Sequence, residues 1–218
     1  MSDKADTFGR TISILAEVPD ALARAVEALS QGQIIAFPTD TVYGLRAHAF
    51  QPEAVARLYD VKGRPAHVPI PLLLPEARAM ETVCVDIPPL AWQVAERFWP
   101  GGLTLVLRRA PIVPDIVTAG GATVAVRVPD HPLARELCRR LGAPLAATSA
   151  NRHGQPPSIT VGEVMAGLAG HIALVLDGGA CPGGLSSTLL DLTASPPVVL
   201  RPGPITVEQL RTVVPLAV

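Results

Sequence analysis

Ile34-Ile35-Ala36-Phe37-Pro38-Thr39-Asp40-Thr41-Val42-Tyr43-Gly44-Leu45 changes character at one residue. The apolar run 34–37 has the composition of a buried strand. Pro38 ends it, because proline has no N–H to give to a sheet ladder. Short polar side chains follow at once, in the place where open α/β sheets hold their ligands, just beyond a strand end. The hydroxyls of Thr39 and Thr41 and the carboxylate of Asp40 suit an amino-acid-sized ligand. They equally suit a Pro-Thr-Asp turn in which Gly44 gives the backbone its freedom.

Outward from this segment, strand-like and helix-like stretches alternate along the chain. Apolar runs at 12–15, 70–74, 103–107, 123–128, 145–147, 173–176, 188–190 and 198–200 read as strands, with Pro71 marking 70–74 as an edge or a bulge. Asp20 caps a helix with Leu22, Val26 and Leu29 on one face, and Gly32 stops it. Pro52 opens a helix carrying Val55 and Leu58, residues 90–98 form another, and a third runs over 132–141. Thr160 with Glu163, and Thr206 with Gln209, have the spacing of capping boxes. No linker or repeat divides the 218 residues, so they read as one α/β domain on a mixed sheet of about seven strands.

Composition narrows the function classes. With 49% hydrophobic and 17% charged residues the chain builds a core rather than staying disordered, and with 4% aromatics that core is aliphatic. A net charge of −1 sets up no global field toward nucleic acid or membrane. The start, MSDKADTFGR, has no apolar signal core, and no apolar run reaches membrane-spanning length; the expectation is a soluble cytoplasmic protein. Cys84, Cys138 and Cys181 are odd in number and unpaired in spacing, which reads as buried or loop thiols in a reducing compartment. GxxxxGK[ST], GxGxxG, HExxH and GxSxG are all missing, so a nucleotide would have to be held by another device.

Cations and hydroxyls cluster at element ends. Lys62-Gly63-Arg64-Pro65 sets two cations around a glycine, a pattern for gripping one anion or for a solvated helix end. Arg127, inside an apolar strand, needs an anionic partner, either a ligand carboxylate or a structural Asp or Glu. Thr148-Ser149-Ala150-Asn151 ends a strand in groups that suit phosphate, metal-bound water or a capping turn. A Gly-rich loop leads from Asp177 to Ser186-Ser187-Thr188, and Arg201-Pro202-Gly203 closes the last strand with another cation.

In this order, PTDTVYGL at 38–45, KGRP at 62–65, WPGGLTLVL at 99–107, TVAVRVPDHP at 123–132, AATSAN at 146–151, DGG at 177–179, SSTLLDLT at 186–193 and RPG at 201–203 resemble the successive motifs of the YrdC-like family of threonylcarbamoyl-AMP synthases. The resemblance runs from about Val18 to about Ile205. It implies one YrdC-like domain over 1–218, an open twisted mixed β-sheet with flanking helices and a concave basic ligand cleft. It also implies a nucleotidyltransferase that forms L-threonylcarbamoyladenylate from L-threonine, bicarbonate or CO2, and ATP, releasing pyrophosphate. The product would serve tRNA threonylcarbamoyladenosine modification through a separate transferase. By resemblance Lys62, Arg64, Ser149 and Asn151 grip the ATP phosphates with their Mg2+, and Arg201 reaches the nucleotide. Thr41, Thr123, Arg127 and Ser187 contact threonine, Arg127 at its carboxylate. Mg2+ arrives on ATP rather than on protein side chains.

Two departures bear on the substrate. Val68 and Leu73 stand where the family pattern has an Asn or Lys and a His. Arg46 and His48 stand in a run that is ordinarily small. Val68 and Leu73 leave open a paralogue that makes a different carbamoyl- or acyl-adenylate. A non-catalytic RNA-binding module with weak RNA contact is the rival from another class, disfavoured by the charge balance and the scarce aromatics.

Overall fold

The computed structural model describes residues 10–182 and 184–216, so all of the N-terminal segment except Arg10 lies outside the described residues. The first half contains β1 (Ile12–Leu15), α1 (Ala21–Ser30), β2 (Ile35–Phe37), β3 (Gly44–His48), α2 (Pro52–Lys62), β4 (Leu72–Leu73), α3 (Met80–Val83), α4 (Pro89–Phe98) and β5 (Leu103–Arg108). The second half continues with α5 (Asp115–Thr118), β6 (Thr123–Arg127), α6 (Pro132–Leu141), β7 (Leu145–Ser149), α7 (Val161–Leu168), β8 (Leu174–Asp177), β9 (Thr188–Asp191), β10 (Val198–Arg201) and α8 (Val207–Arg211).

The strands form one mixed sheet in the order β1-β8-β2-β3-β7-β4-β6-β5-β9-β10. β8 runs parallel to β1 and β2, while β3 is antiparallel to both β2 and β7. Period-two alternation divides the core between the faces. Leu45, Ala47, Leu72, Leu105, Val126 and Ala146 belong to one cluster, packed with residues of α2, α4 and α7. Ile35, Phe37, Leu73, Leu145, Ala147 and Leu176 belong to the other, under α1 and α6. Gly44, Arg46, Thr104, Arg127 and Ser149 alternate with the first set and so share the second face. α1 and α6 contact β2, β3, β4 and β8. The polar residues of the second face stand toward the border of that cover.

Four expectations need correction. The sheet has ten strands rather than about seven. Nine of them fall on the nine apolar runs; the tenth is β3, hidden in the sequence because Gly44, Arg46 and His48 break its apolar character. The 70–74 run contributes only Leu72 and Leu73, and lies between β7 and β6 in the sheet interior rather than at an edge. Pro71 fits there because it stands outside the two-residue ladder and offers only its carbonyl, which accepts from Ala147 N. Asp20 occupies the cap position of α1, but its backbone is helical and its side chain makes no cap hydrogen bond. Of the two capping boxes, Thr206 and Gln209 form a complete one. Thr160 accepts from Glu163 N, whereas the Glu163 carboxylate accepts from Ile159 N, one residue earlier. All three cysteines are buried, and burial pushes the thiols of Cys84 and Cys138 up to about 12.

Candidate functional site

A cavity of about 280 Å3 opens on the second face, between the β2–β3 turn, the ends of β6 and β7, and the segment leading into β9. Thr39, Thr41, Gly44 and Arg46 come to it from the turn and β3. Arg64, Thr104, Arg127, Thr148, Ser149, Ser187 and Arg201 line it from other elements, with Leu73, Pro71, Pro129 and Ala147 as apolar wall.

Lys62 is the last residue of α2. The helix ends because Gly63 adopts a left-handed conformation (φ 62, ψ 32), with its N–H on Asp60 O and that of Arg64 on Tyr59 O. This closure satisfies the last carbonyls and turns Arg64 away from the helix axis. Lys62 is 3% exposed. Its ammonium donates to Ser149 O at 2.8 Å, Ser149 Oγ at 2.9 Å and Asn151 Oδ1 at 2.6 Å. Asn151 is held in turn by its amide, which donates to Arg152 O and Gln155 O. Lys62 and Asn151 therefore stand behind Ser149, locking a hydroxyl that faces the cavity. Burial first, and the Arg64 charge second, push the lysine down to about 8.

Arg64 is anchored by the loop that follows it. Its Nε donates to Val68 O at 3.1 Å and its Nη2 to Pro69 O at 2.7 Å. Val68 thus acts here through its carbonyl, which also accepts from Tyr59 Oη. Arg201 reaches from β10 to Ser187, donating through Nη2 to its carbonyl at 2.8 Å and to its hydroxyl at 3.3 Å. Ser187 Oγ lies 2.7 Å from Thr104 Oγ1. Burial, then the charges of Arg127 and Arg64, lower the Arg201 guanidinium. These cations sense one another across the same cavity.

Arg127 closes the opposite side. Its Nη2 pairs with Asp40 Oδ2 at 2.5 Å, and its Nε donates to Gly101 O at 2.8 Å. The anionic partner that this strand arginine requires is thus a carboxylate of the protein itself. Burial lowers the guanidinium, and Asp40 partly offsets that.

Of the residues expected in the site, Thr41, Arg64, Ser149, Arg127, Ser187 and Arg201 line the cavity, and Lys62 and Asn151 back it. Thr123 is not brought there. It begins β6 opposite Arg108, four residues before Arg127. At about 3.3 Å per residue that is roughly 13 Å along the strand. Thr104 was not expected in the site, and Arg46 was noted only as a departure from the family pattern. Thr104 shows no signal, being one hydroxyl in an apolar strand. Arg46 carries the same signal as Arg127, a cation within a strand, concealed because β3 was not legible as a strand. Among the described residues no cluster of His, Cys, Asp and Glu has the form of a metal site. No described helix is long and apolar enough to cross a membrane.

Comparison with known proteins gives one consistent answer. The family model Sua5_yciO_yrdC, described as telomere recombination, matches residues 27–203. A threonylcarbamoyl-AMP synthase of Pyrococcus abyssi is 42% identical over 186 residues, 85% of this chain and 55% of the relative. The Bacillus subtilis synthase is 43% identical over 88% of this chain and 56% of its own length. The chain spans about half the length of these two curated relatives, whereas a putative synthase of Mycobacterium tuberculosis, 40% identical, is covered over 88%. Among solved structures, P. abyssi Sua5 complexed with L-threonine superimposes with a TM-score of 0.89 at 39% identity, covering 94% of this chain and 61% of that one. E. coli YciO does so with a TM-score of 0.81 at 26% identity, covering 91% and 97%.

Proposed function

The chain belongs to the Sua5_yciO_yrdC family, and on that premise we propose that it forms L-threonylcarbamoyladenylate from L-threonine, bicarbonate or CO2, and ATP, with release of pyrophosphate. The observation that carries the reading is the convergence of Arg64, Arg127 and Arg201 with the hydroxyls of Thr41, Ser149 and Ser187 on one cavity. The L-threonine held by the superimposable P. abyssi protein supports the choice of amino acid.

In this reading the amine of threonine adds to CO2 with loss of a proton, or condenses with bicarbonate with loss of water, to give a carbamate whose oxygen attacks the α-phosphorus of ATP and expels pyrophosphate. Negative charge gathers on phosphate oxygens, and fixed cations and oriented donors stabilise it without a nucleophilic side chain. Lys62 locks Ser149 and Asn151, Arg64 and Arg201 face the phosphates, and Arg127 and Thr41 take the amino acid. ATP brings Mg2+ on its phosphates, where the ion neutralises charge. The labile product would pass to a tRNA-modifying transferase in the cytoplasm. Purified protein given ATP, Mg2+ and bicarbonate should release pyrophosphate with L-threonine and not with L-serine or buffer. Release that ignores the amino acid would remove this reading and favour a paralogous adenylate.

A pH dependence follows from Lys62. With its proton the ammonium serves three acceptors; without it, one fewer donor and no charge remain. Because its pKa is lowered to about 8, the cation is present below that pH and is lost as pH rises through it. The ratio kcat/KM for ATP, which reports the free enzyme, should show an alkaline limb near pH 8. An unchanged ratio through pH 9.5 (about 1.5 units beyond) contradicts a role for the charged lysine.

A further inference from the structure

Arg46 stands in the interior of the sheet, opposite Ile35 of β2 and Ala147 of β7, and is 4% exposed. Its side chain folds back along β3, and Gly44 makes room for it, since a Cβ on Gly44 would overlap the guanidinium. The Phe37 ring lies beneath, 4.7 Å from the guanidinium carbon. Nη1 donates to Leu45 O at 2.8 Å and Thr148 O at 3.0 Å. Nε is buried and has no partner among the described residues. Every contact Arg46 makes is thus with a neutral group. Asp40, the carboxylate of this corner, is engaged by Arg127, and its other oxygen is likewise buried and unpartnered.

Two guanidiniums therefore stand near one carboxylate that only Arg127 engages, and Leu73, Ala147 and Pro71 contribute apolar surface to the same cavity. A buried unpaired arginine is costly in so apolar a setting unless an anion completes it. Burial and the Arg127 charge lower Arg46 to about 9, so it is still a cation at neutral pH. The guanidinium fork matches the two oxygens of a planar anion.

We propose that Arg46 is an oxyanion-binding residue of this cavity, adding beside Arg127 a second subsite for a planar carboxylate-type anion. The anion is either bicarbonate or a carboxylate carried by the amino-acid substrate. The proposal rests on the adenylate-forming reading above for its kinetic test, though not for its binding test.

Wild type, Arg46→Met, Arg46→Lys and Gly44→Ala are to be compared in two ways. Calorimetric titration with sodium formate and sodium bicarbonate needs no turnover, so it stands even if pyrophosphate release fails. KM values for bicarbonate, L-threonine and ATP are then measured separately. Loss of one charge-assisted contact should weaken the affected anion by about tenfold to a hundredfold in Arg46→Met, with KM for ATP unchanged and part of the loss restored in Arg46→Lys. Gly44→Ala, which displaces the guanidinium but keeps its charge, should weaken the same anion and can be read alone if Arg46→Met does not fold. A rise confined to bicarbonate identifies the free anion. A rise confined to the amino acid, with L-aspartate a better competitor in wild type than in Arg46→Met, identifies the substrate carboxylate. Unchanged formate, bicarbonate and amino-acid binding with a lowered melting temperature overturns the proposal, leaving Arg46 as a pin between β3 and β7. Equal weakening of all three substrates overturns it too.

Discussion

Lys62→Met should reduce threonine-dependent pyrophosphate release by roughly a hundredfold to a thousandfold, the usual cost of removing one organised donor from a charge-developing site. One ammonium holds Ser149 by both its carbonyl and its hydroxyl and holds Asn151 by its amide oxygen. Methionine fills the space but supplies no donor, so buried acceptors lose their partner at about 1–3 kcal/mol each. A fall in melting temperature should accompany the lost turnover. Amino-acid affinity should change little, since Arg127 and Thr41 approach the cavity from the other side. Retention of ATP turnover in Lys62→Met would mean that Ser149 and Asn151 are held well enough by their own backbones.

Arg127→Leu should strongly destabilise the protein. It leaves Asp40, whose side chain is 22% exposed, without the guanidinium that lies 2.5 Å away. Breaking such a pair from one side costs about 3 kcal/mol, because the remaining charge stays partly buried. Adding Asp40→Asn removes the orphaned charge, so the double variant should regain most of the lost stability in a denaturant titration. It should not regain threonine affinity, because the amino acid still lacks its guanidinium. A double variant that recovers activity along with stability would reduce Arg127 to a structural partner of Asp40.

The fold was legible where strands are apolar and continuous. β2, β5 and β8 stand out in the sequence because both of their faces are buried, and β6 because its residues are largely apolar although one face is half-exposed. β3 was not, because its second face carries Gly44 and Arg46 toward the cavity, and function there replaces the hydrophobic pattern. β4 was legible as a run but not as an interior strand, since two ladder residues after Pro71 look the same in sequence at an edge or in the middle. The site was legible through its charges. Lys62, Arg64, Arg127 and Arg201 are rare residue types at apolar element ends, and long-range pairing brings them together. The Asp40–Arg127 pair spans 87 positions and no local pattern announces it. Thr123 lies away from the cavity, and a strand motif does not say which of its two ends faces a ligand.

The most direct measurement is mass spectrometry of the small-molecule products formed from ATP, L-threonine and carbon-labelled bicarbonate. An adenylate that carries the label, requires threonine and is lost in Arg64→Ala is the predicted result. Pyrophosphate and AMP formed with no labelled adenylate, or a labelled adenylate formed equally with other amino acids, would contradict adenylyl transfer to threonylcarbamate as the reaction proposed for this cavity.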